Sequence, residues 1–159
     1  MEPNTLIQEM ILLGEKKIQL LKQMWELTEK QAQHCTEDQL SELEKLLNER
    51  QKCIEEIKEL DQRFEEKSRV LKKALGINLL DEIDLNIYPS ARELKKVRED
   101  ILNHVVRIKS LDDENKKVME KLLYETSLEL KKIRQGKAAN QRYQYESAGS
   151  GGVYFDTKK

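Results

Sequence analysis

The sequence predicts an all-α protein: an elongated antiparallel bundle or coiled coil of three to four helices, followed by a flexible C-terminal tail. Apolar residues recur three and four positions apart from Leu6 to Ile133, which is typical of helices that pack through one face. Charged residues make up 37% of the chain and aromatic residues 5%, a composition close to that of coiled coils. Only two of the six glycines precede residue 136, so few residues interrupt the helices.

The first two helices are predicted from their apolar rows and their end signals. The first is expected to begin near Asn4, which can cap the exposed amides of the first turn, and to end around His34. The second opens with Thr36-Glu37-Asp38-Gln39, a capping-box pattern, and is expected to end at Gly76 in a left-handed conformation. Because the link around Cys35 is short, the two helices are expected to pack antiparallel.

Residues 77–89 mix apolar and acidic side chains without a long helical pattern. We expect a loop with one short helical turn that closes the end of the bundle. A short edge strand over Asp84–Tyr88 is the alternative, because apolar residues alternate there.

The last helix is predicted to start at Ser90-Ala91-Arg92-Glu93, a second capping-box pattern, and to end at Gly136. This end divides the chain into a helical domain over residues 1–136 and a flexible tail over 137–159. The run Gly149-Ser150-Gly151-Gly152 in the tail is typical of a flexible linker.

The composition argues against several function classes. Basic and acidic residues number 29 and 30 and are intermixed, so no basic stripe for nucleic acid is present. His34 and His104 are the only histidines, and no motif for phosphate binding, metal binding or nucleophilic catalysis occurs. We therefore expect no enzyme activity, no catalytic residue, no cofactor and no metal site.

The compartment is predicted from the cysteines and from the N-terminus. Cys35 and Cys53 lack the spacing of metal ligands and fit a reducing environment better than a disulfide framework. The N-terminus shows no secretion-signal pattern, and no apolar run is long enough to span a membrane. We expect a cytoplasmic protein without membrane insertion.

The apolar stripe and the tail are the candidate binding surfaces. The stripe can be buried within one chain, in a homodimer, or against a helix from another protein. Asn115 falls where an apolar residue is due, and a role in fixing helix register is favoured over a partner contact in an interhelical groove. Tyr143 and Tyr145 either dock the tail onto the bundle or form a short motif that another protein recognises.

Nearly the whole chain resembles the FlgN-type flagellar export chaperones, which escort hook-associated junction proteins to the flagellar type III export gate. Asp38–Leu47 followed by Glu49-Arg50-Gln51 is similar to the opening of the family's second helix. Leu111–Asn115 with Leu122-Leu123 resembles the family's Leu-Asn-x-x-Asn…Leu-Leu region, although Asp112 stands where the family often has asparagine. The ending Tyr154–Lys159 resembles tails of Gram-positive members.

The resemblance implies a non-catalytic chaperone whose last helix and tail hold the aggregation-prone helical terminus of a hook-associated junction protein. The implied client-binding residues are Asn115, Val118, Leu122, Leu130 and Ile133. Tyr143 or Tyr145 would contact the export gate once the client is loaded. A structural coiled-coil protein that only oligomerises or spaces other parts is the alternative, and a homodimer is left open.

Overall fold

The computed structural model describes residues 2–34 and 36–148, and these residues form an all-α structure. Three α-helices occur there, α1 at Pro3–Gln33, α2 at Leu40–Leu75 and α3 at Ala91–Ala148, with 3₁₀-helices at Glu37–Gln39 and Leu80–Glu82. No strand occurs among the described residues. The predicted fold class is therefore confirmed, whereas the arrangement as a bundle of three to four helices stays a prediction.

The start of α1 differs from the sequence prediction. Pro3 is the first helical residue and Glu2 is the N-cap, without a side-chain capping bond. Proline suits the first helical position because its missing amide would have no helical partner there. The cap expected at Asn4 is wrong because Asn4 already lies inside the helix. The expected end is confirmed, since His34 is the C-cap.

The capping box predicted at the start of α2 does not form. Thr36 makes no side-chain capping bond, and Glu37–Gln39 is a 3₁₀-helix in which the Gln39 amide donates to the Thr36 carbonyl at 3.1 Å. In this tight turn the Gln39 amide is satisfied by the Thr36 backbone carbonyl, and the Thr36 hydroxyl does not act as its acceptor. At the other end, Gly76 has φ 66° and its amide donates to the Lys72 and Lys73 carbonyls, so the left-handed cap is confirmed.

The connection from α2 to α3 is the predicted loop with one helical turn. The turn is Leu80–Glu82, and the Glu82 carboxylate accepts hydrogen bonds from the backbone amides of Asn78 at 2.7 Å and Leu79 at 2.9 Å. The alternative of a strand over Asp84–Tyr88 is wrong, because the Tyr88 amide bonds the Asp84 carbonyl at 2.9 Å in a local turn. Of the apolar residues in this segment, Leu85 and Tyr88 are half-buried, whereas Ile87 is 63% exposed.

Helix α3 starts as predicted, immediately after Ser90, but it continues through Gly136 to Ala148. The predicted helix end at Gly136 is wrong. A glycine inside a helix costs only about 1 kcal/mol relative to alanine, and its neighbours Arg134, Gln135 and Ala138 favour helix. The division into domains at residue 136 stays a prediction, and residues 149–159 of the tail lie outside the described residues.

Two compact units divide the chain, Met1–Asn115 and Lys116–Lys159. In the first unit, side-chain contacts show that α1 and α2 run in opposite directions. Glu9 pairs with Lys67 at 2.6 Å, Lys17 pairs with Asp61 at 2.7 Å, and the Cys53 thiol donates to Gln23 at 3.6 Å. The residue numbers of the contacting side chains therefore increase along α1 while they decrease along α2, as in antiparallel helices.

Two apolar clusters form the core of Met1–Asn115. One joins α1 and the start of α3 with Leu71 and Ile83, and the other lies nearer the far end of α1. The buried members of the first are Leu6, Ile7, Met10, Ile11, Leu71, Ile83, Ala91, Leu94 and Val97, and those of the second are Leu21, Met24, Leu27, Cys53 and Ile108. Gly14 lets α1 approach α3 closely, because a Cβ there would lie less than 3.0 Å from a methyl group of Val97. None of the described helices combines the length and the apolar character that a membrane span needs.

Candidate functional site

The second unit presents a row of apolar side chains on α3. Val118 is 53% exposed, Leu130 48% and Ile133 60%, while Leu122 is half-buried. At about 100° of rotation per residue these four fall within roughly 120° of the helix circumference. Leu123, which is exposed, and Met119, which is half-buried, widen the same face, so we define the α3 stripe by these residues: Val118, Met119, Leu122, Leu123, Leu130 and Ile133.

Charged side chains border the α3 stripe. By the same helical rotation, the exposed Glu125 lies at the edge near Val118 with the exposed Lys132 just beyond it, and the exposed Glu129 falls between Val118 and Leu122. The exposed Lys116 and Arg134 lie along the edge near Leu123. An amphipathic helix that covered the stripe would meet charges of both signs on one side and a basic border on the other.

Asn115 is the predicted site residue that the structure places elsewhere, in the unit Met1–Asn115. It is 6% exposed, and its side-chain Nδ2 donates to the Thr28 carbonyl of α1 at 3.0 Å. Thr28 is also buried, with its hydroxyl donating to the Met24 carbonyl at 2.6 Å. This contact favours the interpretation of Asn115 as a register-fixing residue. Its part in client binding stays a prediction.

An ion pair between α2 and α3 accompanies Asn115, and sequence reasoning missed it. The Arg50 guanidinium donates to Asp112 Oδ1 at 2.7 Å through Nη1 and to Asp112 Oδ2 through Nη2, and Nη1 also approaches Gln31 at 3.4 Å. Such a two-bond pair fixes geometry as well as adding energy. In the sequence, Asp112 was singled out only through the resemblance described above, and nothing along the chain paired it with Arg50.

The two candidate tyrosines lie within α3 and not beyond it. Tyr143 is 70% exposed, whereas the side chain of Tyr145 lies outside the described part. The sequence prediction placed both residues on a tail after the last helix, and that placement is wrong because α3 extends to Ala148. An exposed tyrosine on a helix can serve as an aromatic anchor for a partner.

The unit Met1–Asn115 carries an open apolar groove that the sequence did not predict. Two cavities of about 360 Å³ and 280 Å³ adjoin at Lys17 and Val105. We call this feature the interhelical groove. Its apolar lining comes from Leu13, Gly14, Leu21 and Met24 of α1, Leu60, Phe64, Ile54 and Ile57 of α2, and Ile101, Leu102, Val105 and Ile108 of α3.

Two titratable groups have shifted pKa values, and both shifts have structural causes. Burial of the Cys53 thiol raises its pKa, and the nearby Glu56 and Glu49 carboxylates add to the effect. The pKa of Glu82 is lowered because its carboxylate accepts the amide hydrogen bonds of Leu79 and Asn78. Within residues 2–34 and 36–148, no three histidine, cysteine or acidic side chains are grouped closely enough to hold a metal ion.

Comparison with known proteins identifies the family of this chain. The family model described as FlgN protein matches residues 1–149. No significant match was found among curated proteins or among solved structures. Because the family match covers more than nine-tenths of the 159 residues, the chain belongs to the FlgN family, whose members are flagellar export chaperones.

Proposed function

We propose that this protein is a cytoplasmic chaperone of flagellar type III export that binds hook-associated junction proteins, keeps them unassembled and delivers them to the export gate. One observation carries the proposal: in a FlgN family member, the α3 stripe exposes Val118, Leu130 and Ile133 to solvent. Exposed apolar rows of this length are costly in water and mark interaction surfaces.

The α3 stripe would act by covering the apolar face of a client helix. Each leucine, isoleucine or valine removed from water contributes on the order of 1.5–3 kcal/mol before the costs of association. The client's own stripe is a liability until it assembles, because it can pair with other exposed apolar surfaces. Covering it with Val118, Leu122, Leu130 and Ile133 would keep the client soluble. Asn115 would contribute by holding the register of α3 against Thr28.

Delivery to the gate is assigned to Tyr143 and Tyr145. The exposure of the Tyr143 ring supports this role, since an aromatic side chain held on a helix can enter a partner's pocket at low entropic cost. The α3 stripe falls within the proposed bundle over residues 1–136, and both tyrosines fall within residues 137–159, the segment that would remain available to partners.

Client binding is tested with the purified full chain and a hook-associated junction protein. We expect a stoichiometric complex on size exclusion. The double variant Leu130→Glu/Ile133→Glu should weaken it at least about 30-fold, because two charges would be buried in an apolar interface. The matched control is Lys117→Glu/Lys131→Glu on the opposite face of α3, which should change affinity less than about threefold.

Gate binding is tested separately with Tyr143→Ala and with deletion of residues 137–159. Both variants should keep the client complex while losing contact with the export gate, and Tyr143→Ala should also keep the helix content. A protein that served only as a coiled-coil spacer would form no client complex at all. Equal delivery by the truncated chain would remove the basis for the gate assignment.

A further inference from the structure

A basic face lies on α3 on the far side from the α3 stripe. At about 100° of rotation per residue, the residues of this face fall within about 120° of the helix circumference, centred on the line through Lys117 and Gln135. All of them are exposed. The basic face consists of Lys117, Glu120, Lys121, Tyr124, Leu128, Lys131, Lys132, Gln135, Ala138, Ala139 and Arg142.

The charges of the basic face are strongly unequal. Five of its side chains are cations and only Glu120 is a carboxylate. None of these cations takes part in the ion pairs that form within residues 2–34 and 36–148. Just beyond one edge lie the exposed Lys116 and Arg134, and just beyond the other edge lies the exposed Glu125. The face and its borders therefore present a surplus of positive charge to solvent.

This surplus belongs to one helical segment and not to the whole chain. Residues 116–142 contain eight basic and three acidic residues, whereas residues 1–115 contain 19 basic and 25 acidic ones. In the sequence, Glu114 precedes the segment and Glu146 follows it. The nearly balanced totals of the chain conceal the local excess, and the even mixing expected from the sequence does not hold on this face. A partner of the basic face needs negative charge over a limited length.

The basic face also has the spacing by which one helix packs along another. A line of residues alternating four and three positions apart runs along it. Tyr124 is 65% exposed and Leu128 is 41% exposed near the middle of this line, and cations occupy most of the other places. Lysine in such a line is unfavourable against an apolar helix and favourable against carboxylates. The line is Lys117, Lys121, Tyr124, Leu128, Lys131, Gln135, Ala138 and Arg142.

The composition of the line favours a protein helix over a nucleic acid. Single-stranded nucleic acids are bound through several aromatic side chains on which successive bases stack. Tyr124 is the only aromatic residue of the basic face, and its neighbour in the line, Leu128, is aliphatic and offers no stacking surface. An amphipathic helix can instead place apolar side chains on Tyr124 and Leu128 and carboxylates against the cations.

We propose that the basic face of α3 binds an acidic amphipathic helix of a protein other than the client. The face extends from Lys117 to Arg142, about 38 Å, so it accommodates a helix of about 25 residues. Carboxylates of that helix meet the cations, and one or two apolar residues near its middle contact Tyr124 and Leu128. Because the basic face and the α3 stripe lie on different sides of α3, both can be occupied together. That a client occupies the stripe rests on the proposed function.

Binding is measured by fluorescence anisotropy with the purified full chain and a designed helical peptide of about 28 residues, four heptads long. Its packing line carries glutamate, with two leucines at the places that meet Tyr124 and Leu128. A peptide of the same composition in scrambled order is the reference. We expect the designed helix to bind at least about tenfold more tightly than the scrambled peptide, and its affinity to fall as salt is added. Equal binding of the two peptides would overturn the proposal.

Charge reversal locates the surface. Lys117→Glu/Lys131→Glu should weaken binding of the designed helix at least about tenfold, because two attractions become repulsions. The matched control is Lys116→Glu/Lys137→Glu, which changes the charge equally but lies about 100° and 160° from the centre of the face, and it should change affinity less than about threefold. Tyr124→Ala should weaken binding at least about threefold through the lost anchor. Circular dichroism verifies that each variant keeps its helix content. Equal weakening by the two double variants would refute the proposal.

Other polyanions are tested in place of the peptide. A single-stranded oligonucleotide and vesicles that contain phosphatidylserine should both bind more weakly than the designed helix at the same ionic strength. If either binds as tightly, the face recognises negative charge alone and the proposal is wrong.

The two faces of α3 are separated by reciprocal variants. Lys117→Glu/Lys131→Glu should lose the designed helix and keep the client, whereas Leu130→Glu/Ile133→Glu should do the reverse. Loss of the designed helix from both variants would contradict a separate basic face. Absence of a client complex, with binding of the designed helix intact, would count against the chaperone function alone.

Discussion

Substitution of Gly14 by alanine tests how closely α1 and α3 pack. The new Cβ would lie within 3.0 Å of Val97 Cγ1, a non-bonded separation that Cβ atoms in proteins essentially never show. Val97 is 6% exposed and β-branched, so it has little freedom to rotate away. Overpacking of this kind costs about 1–3 kcal/mol. The gain in helix propensity from glycine to alanine offsets about 1 kcal/mol of that cost.

Gly136→Ala is the matched control, because Gly136 also lies in a helix but no atom is within 4 Å of a Cβ built there. We expect this variant to stabilise its helix by about 1 kcal/mol. The two substitutions should therefore differ by the overpacking cost, about 1–3 kcal/mol. Urea unfolding followed by circular dichroism measures the free energy of the first unit, and amide hydrogen exchange measures it locally around each glycine.

Removal of the Val97 methyl groups supplies the second arm of this test. In a Val97→Ala background the contact is gone, so Gly14→Ala should become neutral or stabilising. If Gly14→Ala stabilises the otherwise unchanged protein as much as Gly136→Ala does, the close approach of the two helices at this point is refuted.

Three further outcomes follow from individual contacts. Asp112→Asn should lower the free energy of unfolding by about 1–3 kcal/mol, because Arg50 loses its charged partner, whereas the exposed Asp113→Asn should have little effect in the same urea titration. The lowered pKa of Glu82 stabilises the fold above the unfolded pKa near 4.5, and this contribution is lost as the pH falls through the lower folded pKa. The stability difference between wild type and Glu82→Gln should therefore shrink on acidification, and a difference independent of pH would contradict the loop geometry. In a Cys35→Ser chain, the raised pKa and burial of Cys53 should slow alkylation at least about tenfold relative to the urea-unfolded chain, and equal rates would refute the burial.

The sequence predicted a local feature correctly where the residue type that signals the feature also makes the conformation possible. Gly76 follows the last apolar residue of α2, and only glycine enters the left-handed region at no steric cost, so its cap was predictable. Residue 136 is also a glycine, but no left-handed turn is required there and strong helix formers surround it. The prediction failed because a modest propensity penalty was treated as a stop signal.

The capping predictions failed for a related reason. Thr36 and Gln39 match a capping box, yet a 3₁₀ turn satisfies the same amide through the backbone carbonyl of Thr36. Two local solutions of similar energy compete at such a position. The spacing of residues does not decide between them.

The candidate site was predicted in part. The exposure of Val118, Leu130, Ile133 and Tyr143 agrees with surfaces available to partners, although their binding roles stay predictions. The interhelical groove and the pairing of Arg50 with Asp112 were missed, because both depend on residues from distant parts of the chain coming together.

By itself the sequence determined that this chain is helical and which face of each helix is apolar. It also determined where α1 ends and that α2 ends in a C-terminal cap at Gly76. These properties depend on hydrophobic period and on local backbone preferences, which are readable residue by residue. Tertiary structure alone decided which apolar residues are covered. Leu71 and Leu102 both lie on apolar helix faces, yet Leu71 is fully buried and Leu102 is 62% exposed. Burial depends on how closely neighbouring helices approach, and that distance is set by contacts such as Gly14 with Val97, which no single helix specifies.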